Sequence, residues 1–132
     1  MEGKDMFNTL LVDDNVDYRQ TLSDVLLWHF PLIAVDEART GSEALSRVEY
    51  HRPDLVFMDI CLPEENGLEI CKEIKRVYSG IVIVILTGKD APEYRLQAFR
   101  NGVDDFLSKQ DDQCMERILA RVDMALTDGK HT

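Results

Sequence analysis

Short apolar runs and longer amphipathic stretches alternate along this chain of 132 residues. The apolar runs are nearly continuous, and several are rich in β-branched residues; they lie at 7–12, 32–35, 55–58, 81–86 and, more weakly, around 106–107. Continuous runs of this length are typical of strands that are covered on both faces, as in a parallel sheet. The pattern therefore predicts five buried parallel strands.

Between the runs, apolar residues recur at spacings of three or four, which predicts amphipathic helices. The helical stretches lie around 18–29, 44–48, 70–77, 94–99 and 115–126. Pro31 ends the first of them, Pro92 suits the first turn of the fourth, and we expect Asp111 or Asp112 to cap the fifth. Strict alternation of strands and helices predicts a doubly wound α/β sandwich.

Composition and charge narrow the class of protein. The chain is 45% hydrophobic, which supports one domain with a real core, and we expect that domain to cover residues 6–127 between polar termini at 1–5 and 128–132. Those termini are interpreted as added ends or as the start of an output linker. The net charge of −10 argues against direct binding to nucleic acid or to an anionic membrane. The three cysteines lack metal-binding spacing, which favours reduced thiols in a cytoplasmic protein.

Polar residues follow four of the predicted strands. Asp13 and Asp14 follow the first, Asp59 the third, Thr87 the fourth and Lys109 the fifth. Each alone has a structural explanation as a helix cap, a strand end or a solvated surface residue. Ligands of open α/β sheets bind beyond the carboxyl ends of the strands, however, and there three carboxylates would repel one another unless a cation such as Mg²⁺ joined them. With a hydroxyl and an amine nearby, the set suits phosphoryl transfer to an aspartate.

Four motifs occur in order: LLVDDN at 10–15, LVFMDICLP at 55–63 with a glycine at 67, VILTG at 84–88 and GVDDFLSK at 102–109. Together they resemble the receiver domain of two-component response regulators, the CheY-like family. The resemblance covers nearly the whole chain. It implies a flavodoxin-like (βα)5 fold with a five-stranded parallel sheet in the order 2-1-3-4-5, flanked by five helices.

The resemblance also implies a metal site. Asp59 matches the phosphoacceptor of the family, and Asp14 matches the direct Mg²⁺ ligand, which Asp13 assists mainly through water. Cys61 lies two residues after the phosphoacceptor, where the family binds the metal through a backbone carbonyl. The Cys61 thiol is therefore not implied as a ligand.

A second group of residues is implied to bind the phosphoryl group and to respond to it. The Thr87 hydroxyl would donate to one phosphoryl oxygen, the Lys109 ammonium would pair with another, and the backbone N–H of Gly88 would face the same group. Phe106 matches the aromatic switch position, whose rotamer follows the movement of Thr87. The domain would thus catalyse only its own phosphorylation and dephosphorylation, and it would not otherwise be an enzyme.

The implied partners are those of a signalling switch. A sensor histidine kinase or a histidine phosphotransfer protein would phosphorylate Asp59. The face made by the fourth helix, fifth strand and fifth helix would then control an output domain or a downstream protein, or mediate a homodimer. Neither nucleic acid nor a membrane is an expected partner of this domain.

Two positions depart from the family pattern. Gln110 follows Lys109 where the family usually has proline, often after a cis peptide bond. A cis bond before a non-proline residue costs about 2.5–4 kcal/mol, so we expect a trans bond or a strained loop, which bears on the placement of Lys109 and on the start of the last helix. Gly88 occupies a position where alanine is common.

Three other functions remain as alternatives. A degenerate receiver that acts as a phosphorylation-independent interaction module is favoured by Gln110. An enzyme of the haloacid-dehalogenase type would need an aspartate at position 61, where the chain has cysteine. A flavin-binding module is disfavoured because Asp13 and Asp14 would repel a flavin phosphate.

Overall fold

The computed structural model describes residues 6–129, and its centre is a five-stranded parallel sheet. The strands are β1 (Asn8–Val12), β2 (Ala34–Ala38), β3 (Leu55–Met58), β4 (Val82–Thr87) and β5 (Asp105–Ser108). Their order across the sheet is β2-β1-β3-β4-β5, and every neighbouring pair is parallel. The predicted fold class and strand order are therefore confirmed.

Five helices cover the two faces of the sheet: α1 (Val16–His29), α2 (Gly41–His51), α3 (Gly67–Val77), α4 (Pro92–Arg100) and α5 (Cys114–Gly129). One apolar cluster joins the sheet to α2, α3 and α4, and a second joins it to α1 and α5. Since strand side chains alternate between faces, Leu10 and Val12 of β1 belong to the first cluster and Leu11 belongs to the second.

Side-chain caps explain where three of the helices begin. Asn15, Thr40 and Asn66 each accept a hydrogen bond from a backbone N–H in the first turn of α1, α2 and α3. Pro92 occupies the first turn of α4 as predicted. The prediction that Asp111 or Asp112 caps α5 directly is wrong, because that helix begins at Cys114. Asp111 instead accepts from the N–H of Gln113 at 3.0 Å and closes the turn before the helix.

The second strand differs most from the sequence prediction. It was expected at 32–35, but it spans Ala34–Ala38, and Leu32 is 84% exposed. This strand lies at the edge of the sheet, so Asp36 and Glu37 remain half-buried and pair with arginines of α2 and α1. An unexpected antiparallel pair of two-residue strands, Cys61–Leu62 with Glu65–Asn66, follows β3.

Helix α5 continues to Gly129, two residues beyond the expected domain boundary, while residues 1–5 and 130–132 lie outside the described part.

Among the helices within 6–129, none combines the length and the apolar character needed to cross a membrane.

Candidate functional site

The strand register brings the predicted site residues to one edge of the sheet. Asp59 directly follows β3, and its N–H donates to the carbonyl of Val12, the residue before Asp13, at 3.0 Å. Thr87 is the last residue of β4, and its carbonyl accepts from the N–H of Lys109 at 2.8 Å. These backbone contacts lie at the carboxyl ends of the strands, where open α/β sheets bind ligands.

Three carboxylates crowd this edge. One carboxylate oxygen from each of Asp13, Asp14 and Asp59 lies within 4.8 Å of the others. Asp13 is 5% exposed and Asp59 is 7% exposed, whereas Asp14 is open to solvent. Burial raises the pKa of Asp13 above its ordinary value, although hydrogen bonds from Lys109 and from the N–H of Asn15 oppose that shift. Hard oxygen donors in this arrangement fit a divalent cation such as Mg²⁺.

Both oxygens of the Asp59 carboxylate accept hydrogen bonds. The hydroxyl of Thr87, which is completely buried, donates to Oδ1 at 2.6 Å, and the backbone N–H of Cys61 donates to the same oxygen at 3.3 Å. The ammonium of Lys109 donates to Oδ2 at 3.2 Å. The aspartate that ends an apolar strand is therefore held by a hydroxyl, an amide and a cation.

Lys109 lies between two carboxylates and an aromatic ring. Its Nζ is 2.6 Å from Oδ2 of Asp13 and 3.2 Å from Oδ2 of Asp59, and it lies 4.1 Å from the centroid of the Tyr18 ring. Burial alone would lower the pKa of Lys109, but the hydrogen bonds and charges of the two aspartates raise it above the ordinary lysine value. The ammonium therefore stays charged at neutral pH.

The sequence pattern placed residue 18 at the start of an amphipathic helical stretch, and it did not predict the contact of Tyr18 with Lys109. Tyr18 lies four residues after Asp14, in the first turn of α1, which begins at Val16. That spacing was the signal that could have placed the ring beside the acidic cluster.

The loop after Lys109 accommodates Gln110 without displacing the lysine. No peptide bond within residues 6–129 is cis, and neither residue has a positive φ. The N–H of Gln110, which a proline would lack, donates to the hydroxyl of Ser108 at 3.1 Å. Of the two expectations for this loop, a trans bond or a strained loop, the structure has the trans bond.

The remaining predicted residues occupy different positions around the cluster. The Cys61 side chain is exposed. Gly88 is also exposed, and a Cβ at that position would meet no atom within 4 Å, so an alanine would fit. Phe106 is 3% exposed and belongs to the apolar cluster under α2, α3 and α4, where the guanidinium of Arg95 lies 4.6 Å from its ring centroid. The structure therefore does not place Phe106 within the acidic cluster.

Gly67 fixes the backbone beneath Asp59. It is the first residue of α3, and its N–H donates to the carbonyl of Ile60 at 2.9 Å. A Cβ at this position would overlap the carbonyl oxygen of Asp59. The close approach of the two backbones requires glycine here.

Comparisons with known proteins agree with this arrangement. A family model described as the response regulator receiver domain matches residues 9–123. The response regulator MprA of Mycobacterium sp. (strain KMS) is 34% identical over 86% of this chain and 47% of its own length. MprA of Mycobacterium leprae (strain TN) is likewise 34% identical, over 48% of its length. The chain thus spans about half the length of these relatives.

Solved structures give the same result. A two-component response regulator from Clostridium difficile has a TM-score of 0.83 at 29% identity, with 92% of this chain and 97% of that chain covered. DrrB, an OmpR/PhoB homolog from Thermotoga maritima, has a TM-score of 0.80 at 30% identity, with 95% of this chain and 54% of that chain covered. The described chain, with its acidic cluster at the carboxyl edge of the sheet, belongs to the response regulator receiver domain family.

Proposed function

We propose that this domain is a phosphorylation-driven switch whose phosphoacceptor is Asp59. The observation that carries the proposal is the pair of contacts on the Asp59 carboxylate, with the Thr87 hydroxyl on one oxygen and the Lys109 ammonium on the other, beside two further carboxylates. Phosphoryl transfer asks a protein mainly for positioning and for neutralisation of charge, and these groups supply both.

In the transfer step, a carboxylate oxygen of Asp59 forms a bond to phosphorus while the bond from phosphorus to the donor's histidine nitrogen breaks. The donor is a phosphohistidine of a sensor histidine kinase or of a phosphotransfer protein. Asp14, Asp13 and the backbone carbonyl of Cys61 would hold a divalent cation next to Asp59. Mg²⁺ bound there would neutralise charge on the transferring group. Water attack on the aspartyl phosphate later restores the carboxylate and releases inorganic phosphate.

The phosphoryl group then gives the two donors new acceptors. The Thr87 hydroxyl and the Lys109 ammonium, which now bind the carboxylate, turn to phosphoryl oxygens, and the backbone N–H of Gly88 can join them. In the proposed switch, Phe106 follows Thr87, whose strand β4 pairs with β5. The phosphate can shift the conformational equilibrium only by the free energy with which it favours the active state.

The proposed output surface consists of α4, β5 and α5. Two large apolar residues of α4 are exposed on the protein, Leu96 at 53% and Phe99 at 49%. Charged residues of both signs also line a depression beside β5, among them Arg95, Asp105 and Arg121. Such a surface suits an output domain, a downstream protein or a second copy of this chain. We place the domain in the cytoplasm, where sensor kinases phosphorylate such partners.

The alternative of a phosphorylation-independent module rested on Gln110. The contacts of Lys109 with Asp13 and Asp59 remove that support, because the lysine reaches both carboxylates across a trans loop. No other contact in the described residues favours this alternative over the phosphorylated switch.

The proposal is tested by incubating the protein with Mg²⁺ and acetyl phosphate and measuring its intact mass. We expect one added phosphoryl group on the wild type and on Asp104→Asn, a control at the opposite edge of the sheet, and none on Asp59→Asn. Absence of the adduct from the wild type would support the phosphorylation-independent module. An equal adduct on Asp59→Asn would refute the assignment of the phosphoacceptor.

A further inference from the structure

We infer that Tyr18 is a positioning residue for Lys109, one that holds the ammonium group against the carboxylates of Asp13 and Asp59. The inference rests on the proposed function, because Lys109 is the cation proposed to pair with the phosphoryl group. It begins from the position of the Lys109 ammonium, which contacts three groups: the carboxylates of Asp13 and Asp59 and the face of the Tyr18 ring.

The two carboxylates do not hold the ammonium equally. Its Nζ is 2.6 Å from Asp13 but 3.2 Å from Asp59, so the shorter contact draws it away from the proposed phosphoacceptor. The Tyr18 ring, with its centroid 4.1 Å from Nζ, covers the ammonium and attracts the cation through its π-face. The Lys109 side chain is 19% exposed, so loss of the ring would open a path for the ammonium toward water.

The Tyr18 side chain also has a neighbour at the start of α5. The Tyr18 hydroxyl lies near the thiol of Cys114, which is 7% exposed and is the first residue of α5. The N–H of Cys114 in turn donates to the carbonyl of Asp111 at 3.0 Å. This chain of contacts joins α1 to the far end of the loop that carries Lys109.

The contact between Tyr18 and Cys114 restrains a loop that has no proline, because Gln110 lacks the ring that would restrict φ in a proline. Lys109 is restrained on its own strand by the bond from its N–H to the carbonyl of Thr87. Beyond Gln110, the loop is restrained by Asp111 and by the contact between Cys114 and Tyr18. Tyr18 therefore constrains both the ammonium group and the loop that presents it.

Ordinary core packing makes a different prediction. Tyr18 also packs against the apolar cluster of α1 and α5, so a leucine of similar burial would preserve a purely structural role. A positioning role requires the aromatic face, which phenylalanine retains and leucine does not. Tyr18→Phe and Tyr18→Leu therefore form a matched pair, and Cys114→Ala tests the link to α5 separately.

The experiment measures phosphorylation of the whole 132-residue chain by acetyl phosphate with Mg²⁺, together with stability to urea. We expect Tyr18→Leu to be slowed about fivefold, the size of one cation–π contact, and Tyr18→Phe to restore most of the rate. Cys114→Ala should slow the reaction less than Tyr18→Leu does. In a Lys109→Met background, Tyr18→Leu should cause no further loss. Equal rates for the leucine and phenylalanine variants would overturn the inference, as would an unchanged leucine effect without Lys109.

A spectroscopic measurement separates failure of this inference from failure of the proposed function. In the NMR spectrum, ring current from Tyr18 should move the Lys109 side-chain methylene signals upfield in the wild type and in Tyr18→Phe. In Tyr18→Leu they should return to ordinary lysine positions. This result is independent of phosphorylation, so it holds even if the wild type forms no adduct. Unshifted Lys109 signals in the wild type would refute the contact itself.

Discussion

The two edges of the sheet both carry aspartates, but they use them differently. At the amino edge, Asp54 and Asp104 precede β3 and β5, and each accepts the backbone N–H of a neighbouring strand, both at 2.9 Å. At the carboxyl edge, Asp13 and Asp59 are more deeply buried and face each other across one small volume. Within residues 6–129, the three carboxylates at the carboxyl edge are the only group of potential metal ligands of this kind.

The cations at the two edges differ in the same way. At the amino edge, Lys75 pairs with Asp104 at 2.9 Å, and the same carboxylate accepts a hydrogen bond from a strand N–H. This lysine therefore has one carboxylate partner, which is already bound to the backbone. At the carboxyl edge, Lys109 is shared between Asp13 and Asp59. Aspartates that complete the backbone stabilise the fold, whereas like charges that are crowded together oppose folding and provide a site for chemistry.

The largest expected effect is on the free energy of unfolding, and it should distinguish Gly67 from Gly80. Gly67→Ala should lower the free energy of unfolding by about 3 kcal/mol, because the new Cβ would overlap the Asp59 carbonyl and force the backbones apart. Gly80→Ala, just before β4 at the amino edge, should change little, since a Cβ there meets no atom within 4 Å. Urea denaturation measures both. Equal stabilities would mean that the close packing beneath Asp59 is not required.

The next largest effect is on the rate of phosphorylation, and it should distinguish Lys109 from Lys75. Lys109→Met should slow phosphorylation by acetyl phosphate by about a hundredfold, because the transferring group loses its protein cation. Lys75→Met should leave that rate unchanged, since its ammonium binds Asp104 at the opposite edge. Time courses of the phosphoryl adduct at fixed Mg²⁺ give both rates. A similar loss in the two variants would assign the effect to overall charge and not to the site.

The smallest expected effect is the change in the free energy of unfolding when an aspartate is replaced by asparagine, and it should have opposite signs at the two edges. The raised folded-state pKa of Asp13 means that its stabilising contribution is present below the ordinary carboxyl value of 3.8 and is lost as pH rises through the folded-state pKa. At neutral pH its charge therefore opposes folding, and Asp13→Asn should raise the free energy of unfolding by about 1 kcal/mol without divalent cations. Asp104→Asn should lower it by about 0.5 kcal/mol, because a half-exposed ion pair is lost.

The comparison of these two variants is made by urea denaturation in a chelating buffer near pH 7. Addition of Mg²⁺ should then stabilise the wild type more than Asp13→Asn, because only the folded wild type offers the complete set of carboxylates. If Asp13→Asn were destabilising in the chelating buffer, the carboxyl edge would be an ordinary structural cluster like the amino edge.

The sequence predicts the centre of this molecule better than its edge. β3 was expected at 55–58 and is found at Leu55–Met58, because a strand covered on both faces must be apolar throughout. β2 is covered less completely, so its Asp36 and Glu37 interrupt the apolar signal, and the strand was placed too early. For the same reason the exposed Leu32 was counted as a strand residue.

The contacts of the candidate site also differ in how well the sequence predicts them. The sequence predicted that Asp13, Asp59, Thr87 and Lys109 lie at one edge, because parallel strands end at a common edge and residues far apart in the chain meet there. The contact of Tyr18 with Lys109 joins a helix to a loop, and no strand register predicts it. The hydrogen bond from the N–H of Gln110 to Ser108 was equally out of reach, since it depends on the local packing of one loop.

The most direct test of the central claim locates the phosphoryl group. The wild type is incubated with acetyl phosphate in Mg²⁺ or in excess chelator, digested, and its peptides are analysed by mass spectrometry. We predict one acid-stable, base-labile phosphoryl group on Asp59, formed with Mg²⁺ and greatly reduced by the chelator, with Asp54 and Asp104 unmodified. A phosphoryl group on an amino-edge aspartate, or no modification of Asp59 in the presence of Mg²⁺, would contradict the account.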